Sequence, residues 1–304
     1  MRITLRQLEL FTAICQERTV TAAAARVGLS QAATSQALAE LENLLERKLF
    51  DRHGRRLLLN AAGRSLLPPA IEVLDRVRDI ESSGVRQPVN VALYASLTAG
   101  NYMLPAIISR FARTHPDYRF HVSIGNTAQV VESLLRFESD AGWIEGIVED
   151  TALMAFPWRE DPLVVVAGPD HELAGRKATI EGLAAAAWVL REKGSGTRAV
   201  FERAIEGKFR LGRVPAEFAG IEAVKRAVVA GAGLSCMSGS AVAAEVRSGQ
   251  LRRVYVPWLD LRRQITVLLH RDKYRDAGLS AFLRYCGVPR LHYRSGSSST
   301  DHPA

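Results

Sequence analysis

The chain has 304 residues, 47% hydrophobic and 24% charged, with a formal net charge of +8 at pH 7. That length supports about two domains at roughly 100–200 residues each, and the composition excludes collagen-like, low-complexity and disulfide-dense classes. No stretch reaches ~18 uninterrupted apolar residues, so a membrane-spanning helix is excluded and no membrane partner is expected. The opening, Met1 to Phe11, mixes Arg, Thr, Gln and Glu with its apolar residues and lacks the apolar core of a secretory signal. Cys15, Cys236 and Cys286 lie far apart with no CxxC pair, which predicts a reduced, cytoplasmic protein without structural disulfides.

Leu5, Leu8, Phe11 and Cys15 recur at spacings of three and four and predict an apolar stripe on a first helix. Thr21 is placed to cap a second helix, running through the alanines 22–25 to Val27. Gly28 supplies a tight turn, since glycine adopts positive φ without steric cost. Ser30 is placed to cap a third helix beginning at Gln31. Ala33, Ala37, Leu38, Leu41 and Leu45 are its predicted buried side, and Gln31, Thr34, Ser35 and Gln36 its exposed front. Helix, tight turn and polar-fronted helix is the layout of a helix-turn-helix, whose second helix enters the major groove. The hydroxyls and amides on that front suit base edges and phosphates. A plain helical hairpin carries the same pattern, so the pattern alone leaves both readings open.

The next segment narrows the choice. From Arg47 to Arg64 six basic residues (Arg47, Lys48, Arg52, Arg55, Arg56, Arg64) face one acid, Asp51. Alone, such a run reads as a solvated face. Here Gly54 suits a turn between Leu49–His53 and Leu57–Leu59, with Arg52, Arg55 and Arg56 around it. A basic hairpin directly behind a helix-turn-helix is a wing, which sets arginines on phosphate or in the minor groove of double-stranded DNA.

Leu66, Ala70, Val73, Val77 and Ile80 then form an a/d seam of about two heptads, widened by Leu67, Ile71 and Leu74. Pro68 and Pro69 each remove a backbone donor and predict a kink or restart. Ser82-Ser83-Gly84 and Gln87-Pro88 read as a hinge. Beyond it, strand candidates at 89–95, 118–124 and 140–144 alternate with helices at 101–114 and 127–137, a βαβαβ rhythm that predicts an α/β domain with a largely parallel sheet. The rhythm restarts with strands at 163–167, 188–191, 234–237 and 265–270 and helices at 196–206, 221–230, 240–247 and 279–285.

Two loops are placed to hold a small anion. Ser96-Leu97-Thr98-Ala99-Gly100-Asn101 and Gly194-Ser195-Gly196-Thr197-Arg198 each join a strand end to a helix start. Hydroxyls and free N–H groups at a helix N-terminus favour anions. Thr127 opens a third helix, Arg191 and Arg198 add charge, and Glu145 ends a strand. Any one of these Ser and Thr residues is equally an ordinary N-cap. No cofactor is expected. The seven histidines show no HExxH and no Cys/His zinc spacing. There is no GxSxG elbow, no P-loop lysine and no complete dinucleotide fingerprint. An enzyme is therefore not expected. A small-molecule carrier accounts for residues 88–292 but not for the basic winged front.

Leu5-Arg6-Gln7-Leu8, Ser30-Gln31, Leu41-Glu42, Leu49-Phe50-Asp51-Arg52 and Ala61-Ala62-Gly63 together resemble the winged helix-turn-helix of LysR-type transcriptional regulators. The resemblance continues to about residue 290. Gly125-Asn126-Thr127, Ile144-Glu145-Gly146 and 191–198 are similar to the branch that includes the YeiE-like and CysL-like regulators of sulfite and sulfur metabolism. Ala32 stands where family members commonly carry Pro, and Gln36 where they often carry Arg. The resemblance implies a winged DNA-binding domain at 1–60, a linker helix and hinge at 61–87, and an effector-binding domain at 88–292. It implies two lobes of the type 2 periplasmic-binding-protein kind, 88–162 with 264–292 and 163–263, and a disordered tail at 293–304. It also implies pairing of linker helices into dimers and a homotetramer, and a small effector, sulfite or a carboxylate, at Ser96, Thr98 and Thr197. Asn101, Thr127, Glu145, Arg191, Ser195 and Arg198 complete the expected site, and Thr21, Ser30, Gln31, Thr34, Ser35, Gln36, Arg52, Arg55 and Arg56 the expected DNA contacts.

Overall fold

The computed structural model describes residues 2–53, 56–82, 88–146 and 148–289. The front consists of α1 (Leu5–Glu17), α2 (Val20–Val27), α3 (Gln31–Leu44), the hairpin β1 (Phe50–His53) and β2 (Arg56–Leu59), and the long α4 (Ala61–Ser82). Thr4 and Gln7 form a capping box at the start of α1. The buried side of α1 is Leu8, Leu10, Phe11, Ala13 and Ile14, whereas Leu5 is exposed. The helix is covered by α2, α3 and α4 together, so its apolar face is broader than the predicted stripe. Thr19, not Thr21, caps α2, its hydroxyl accepting from the Ala22 N–H at 3.3 Å. The helix starts at Val20, ahead of the alanine run, which leaves Thr21 exposed in its first turn. Gly28 ends α2 at φ 69°, and Ser30 caps α3 by accepting from the Ala33 N–H at 3.2 Å.

The prolines do not interrupt α4, which is continuous through Pro68 and Pro69. Their missing N–H groups cost the carbonyls of Arg64 and Ser65 their helical donors. Leu67, Ala70 and Leu74 are nevertheless buried in one core with α1 and with Phe137, and that packing holds the helix. The other half of the seam faces outward, with Val73 at 40% and Ile80 at 70% exposure. Ser83, Gly84 and Gln87 of the expected hinge, and the expected tail, lie outside the described residues.

Two α/β lobes follow. The chain builds β3 (Val89–Ser96), α5 (Leu97–Tyr102), α6 (Leu104–Thr114), β4 (Tyr118–Gly125), α7 (Thr127–Leu135), β5 (Ala141–Glu145) and β6 (Leu153–Glu160). It crosses to β7 (Leu163–Ala167), α8 (Ile180–Ala185), β8 (Val189–Arg191), α9 (Gly196–Ile205), β9 (Ala216–Phe218), α10 (Ile221–Val229), β10 (Ser235–Ser238), α11 (Ala243–Ser248) and β11 (Arg252–Val254). It then returns as β12 (Gln264–His270) and closes with α12 (Ala277–Tyr285). In place of one helix over 101–114 there are two, because Pro105 sits in the first turn of α6, where a missing N–H costs little.

The first sheet has the order β4-β3-β5-β12-β6. β3 is parallel to β4 and β5, while β12 is antiparallel to β5 and β6. In the second lobe β7 lies antiparallel between β10 and β11, and β8 is parallel to β9. The sheets are thus mixed rather than largely parallel. The return strand β12 arrives from the other lobe, not through a βαβ crossover, so nothing forces it parallel. Trp143 and Phe282 anchor the first core, Trp188 and Phe201 the second. Among the described residues no helix is long and apolar enough to cross a membrane, and no side-chain cluster suits a metal ion.

Candidate nucleic-acid interface and interlobe crevice

The front of α3 exposes Gln31, Ala32, Ala33, Ser35 and Gln36. Thr34, predicted on that front, is fully buried, and Ala33, predicted inside, is exposed. The inward stripe runs Thr34, Leu38, Leu41, spacings of four and three that carry the buried face one residue past the alanines. Thr34 Oγ1 has no hydrogen-bond partner among the described residues. On the exposed face Gln36 Nε2 donates to Glu40 Oε1 at 3.0 Å.

Behind α3, the buried Glu42 carboxylate fixes the entry to the hairpin. It accepts from the Leu49 N–H at 2.9 Å and from Lys48 Nζ at 2.7 Å. Gly63 packs against the same point, where a Cβ would lie 2.3 Å from the Leu49 carbonyl oxygen. β1 and β2 pair from Phe50 with Leu59 to His53 with Arg56, and the Leu57 N–H donates to the Arg18 carbonyl at 2.9 Å. The hairpin is therefore tied to the end of α1. Arg56 is exposed at its tip. Arg55 and the side chain of Arg52 lie outside the described residues. Thr21, Ser30, Gln31, Ser35, Gln36 and Arg56 are all solvent-facing on this front.

Between the lobes the structure gathers a buried polar cluster. Asp161 lies on the first crossing between lobes and Arg263 on the second. Their backbones bond, Asp161 N–H to the Arg263 carbonyl at 3.1 Å. Arg263 Nε donates to the Asp161 carbonyl at 2.9 Å and to Oδ2 at 3.0 Å, and Nη2 also donates to Oδ2. The side chains are 1% and 0% exposed. Ser238 Oγ, at the end of β10, donates to Asp161 Oδ1 at 2.7 Å. The guanidinium then reaches both lobes: Nη1 donates to Thr197 Oγ1 at 2.8 Å and Nη2 to Thr98 Oγ1 at 3.4 Å. Thr98 follows the carboxyl end of β3 and Thr197 opens α9, so the guanidinium joins the lobes at strand ends, where α/β folds take ligands, and Arg263 itself lines a hollow there.

The remaining predicted residues divide. Ser96 and Ser195 cap α5 and α9, accepting from the Ala99 and Arg198 N–H groups at 3.4 Å each. Thr127 Oγ1 donates to Glu145 Oε2 at 3.3 Å. Thr127, Glu145, Ser195 and Arg198 line a cavity of about 310 Å³, with Gly194 and Gly196 from the second lobe. Gly196 allows that approach, since a Cβ there would lie 2.5 Å from Thr127 Oγ1 and 2.7 Å from the Glu145 carbonyl oxygen. Two arginines are not free to serve an anion. Arg191 is engaged at 2.7 and 2.8 Å by Glu192, and Arg198 by Glu202 and Glu217. Asn101 is exposed on α5. A wider hollow of about 550 Å³ adjoins through Gly146, Val200 and Arg203 and reaches Lys208 and Arg262.

Arg263, Asp161 and Ser238 escape sequence reasoning. Arg262 and Arg263 are adjacent in a polar run, yet Arg262 is 88% exposed and Arg263 1%. The signal that separates them is of period two: Leu259, Leu261, Arg263 and Ile265 are buried while Asp260, Arg262 and Gln264 are exposed, which sets Arg263 on the apolar side. Burial pushes each cysteine thiol up, that of Cys286 to about 12, and so disfavours the thiolate.

Comparison with known proteins gives two family matches that together span most of the chain. Residues 5–64 match the bacterial regulatory helix-turn-helix protein model of the lysR family, and residues 87–287 the LysR substrate binding domain. This chain belongs to the LysR family of transcriptional regulators. It is 40% identical over 293 residues to the uncharacterized HTH-type transcriptional regulator YeiE of Escherichia coli K12, covering 95% of this regulator and 100% of that one. It is 28% identical over 268 residues to the HTH-type transcriptional regulator CysL of Bacillus subtilis, covering 86% and 89%. Among solved structures, a full-length OxyR variant of Pseudomonas aeruginosa superposes with TM-score 0.74 at 20% identity, covering 94% and 95%, and shows the shared fold. The regulatory domain of Synechocystis CcmR, solved with 2-PG, gives TM-score 0.61 at 27% identity over 65% of this regulator and 95% of that chain. The relatives are regulators, not enzymes, and this regulator pairs a DNA-binding helix-turn-helix with an effector-binding domain.

Proposed function

We propose that the regulator reads double-stranded promoter DNA with the front of α3 and the hairpin arginines, and answers to a small anion held at the base of the interlobe crevice. Ser30, Gln31, Ser35 and Gln36 face the major groove in this reading, and Arg52, Arg55 and Arg56 meet phosphate or the minor groove. Thr21 contacts the backbone from α2, and Thr34 acts from inside by seating α3. The working division is 1–60 for DNA, 61–87 for the linker, and 88–292 for the effector, with lobes at 88–162 plus 264–292 and at 163–263. The outward apolar residues of α4, Val73 and Ile80, offer a seam to the same helix of a second subunit, and paired dimers make a homotetramer.

The observation that carries the effector reading is the meeting of Thr98 from one lobe and Thr197 from the other on one guanidinium. Ser96 and Ser195 fix the two loops, and Thr127 and Glu145 line the neighbouring cavity. A sulfur oxyanion such as sulfite is the first candidate ligand and a small carboxylate the second. Binding shifts the tetramer between two arrangements to the extent that the anion binds one of them better.

Two experiments test this. Replacing Arg55 and Arg56 together by Ala is expected to weaken binding to any duplex and to lower the salt slope by about 0.9 per lost phosphate contact. Unchanged affinity and slope contradict the wing assignment. A thermal-shift panel on the full chain with sulfite, sulfate, thiosulfate, phosphate and small carboxylates tests the effector, since ligand at ~100 times its Kd stabilises by about 2.7 kcal/mol. A shift with sulfite alone supports the sulfur assignment, a shift with carboxylates alone replaces it, and no shift contradicts the anion.

A further inference from the structure

Thr98 and Thr197 are buried residues, 1% and 5% exposed, and the hydroxyl of each accepts a hydrogen bond from Arg263. A hydroxyl also carries one donor. Among the described residues neither hydroxyl donates to anything. Buried donors left without acceptors are costly, because they give up their hydrogen bonds to water and gain none in return. Here two of them are held on the two terminal nitrogens of one guanidinium, one from each lobe. The guanidinium itself spends four of its five N–H groups on Asp161, Thr98 and Thr197 and keeps one on Nη1. Unspent donors between the lobes, on an arginine that itself lines a hollow, amount to a site for an acceptor.

We propose that Arg263 is the positioning residue that makes this crevice select bare oxyanions. By occupying a lone pair on Thr98 and on Thr197, it turns both hydroxyl hydrogens away from itself and commits them as donors. Asp161 and Ser238 hold the guanidinium at the hinge, so its geometry, not the ligand, sets how the hydroxyls face. A ligand oxygen without a proton, on a carboxylate or a sulfur or phosphorus oxyanion, then accepts from both lobes at once. A group that must itself donate, such as an amide N–H, meets donors and is rejected. A neutral, ion-paired Arg263 and Asp161 supply orientation rather than net charge. This inference rests on the reading of the crevice as the effector site and names the chemistry that the site accepts.

The test uses the full chain, with binding read by calorimetry. The probes are sulfite, sulfate, phosphate, glycolate and glycolamide, the last two differing in one bare oxygen against one donating amide. The wild-type protein is expected to bind at least one of the four anions and to favour glycolate over glycolamide by at least about tenfold. Wild-type protein that binds none of the four, or that does not distinguish glycolate from its amide, overturns the proposal. The informative variant is Asp161→Leu with Arg263→Met, which removes both buried charges and leaves the hydroxyls in place. With its melting transition intact, it is expected to lose at least about tenfold in anion affinity and to lose the glycolate preference. Arg263→Lys keeps a charge but cannot span two hydroxyls, and the same loss is expected. Thr98→Ser and Thr197→Ser, which keep the hydroxyls, are expected to retain both affinity and preference. Thr98→Val reports on the site itself. If Thr98→Val abolishes binding while the double variant binds and discriminates as wild type does, the site stands and the role of Arg263 falls. If neither substitution matters, the site falls with it.

Discussion

The winged front and the interlobe crevice place their functional groups in opposite ways. On the front, the groups we propose for DNA are exposed, and one helix start orders most of them: Ser30 caps, and Gln31, Ser35 and Gln36 follow on the open side of α3. In the crevice the groups are buried, and Thr98, Asp161, Thr197, Ser238 and Arg263 come from five separate stretches of chain. A surface built to meet a large rigid partner needs local helix geometry and leaves its donors in water until the partner arrives. A site built for a small ligand takes its donors out of water in advance, and each must be oriented by a neighbour.

That contrast gives predictions of descending size. The largest effect is expected for Arg263→Leu alone, which leaves the Asp161 carboxylate buried without its cation. A loss of about 3–5 kcal/mol in unfolding free energy follows, measured by urea denaturation, and the paired Asp161→Leu change restores most of it. A single variant as stable as wild type breaks the claim that the crevice polar cluster is oriented in advance. Next is Gly196→Ala. The new methyl group would clash with Thr127 Oγ1 at 2.5 Å and with the Glu145 carbonyl oxygen at 2.7 Å. Overpacking of this kind costs about 1–3 kcal/mol, and the lobes are expected to part, increasing the radius of gyration in small-angle scattering. The smallest effect concerns the front. Thr34→Val removes a buried hydroxyl that has no partner among the described residues and is expected to stabilise by about 1 kcal/mol, with DNA affinity unchanged. A fall in DNA affinity with stability unchanged would show that Thr34 reaches the DNA after all.

The same contrast explains what is legible in the sequence. Apolar spacing and turn residues locate α1 to α4, the hairpin and most strands, because those signals are local. Errors on the front are of phase: Thr21 for Thr19, and Ala33 for Thr34, each one or two residues along the same helix. The continuous α4 and the antiparallel β12 escape the sequence because tertiary packing decides them. In the crevice, Ser96, Thr98 and Thr197 are visible as Ser and Thr before helices. Arg191 and Arg198 look free in the sequence, but Glu192, Glu202 and Glu217 hold their charge. Arg263 is overlooked because it is charged, although it lies in phase with the buried Leu259, Leu261 and Ile265 while Arg262 beside it stays in solvent.

In the function we propose, the crevice controls the DNA-binding front. That control is tested most directly by fluorescence anisotropy of the full chain on a duplex that it has itself selected from a random-sequence pool. The duplex is titrated with and without the anion identified in the thermal-shift panel. Saturating anion is expected to change the affinity or stoichiometry of the wild-type complex and to leave the Thr98→Val complex unchanged. Equal response of the two proteins, or no response in either, contradicts control of DNA binding from this crevice.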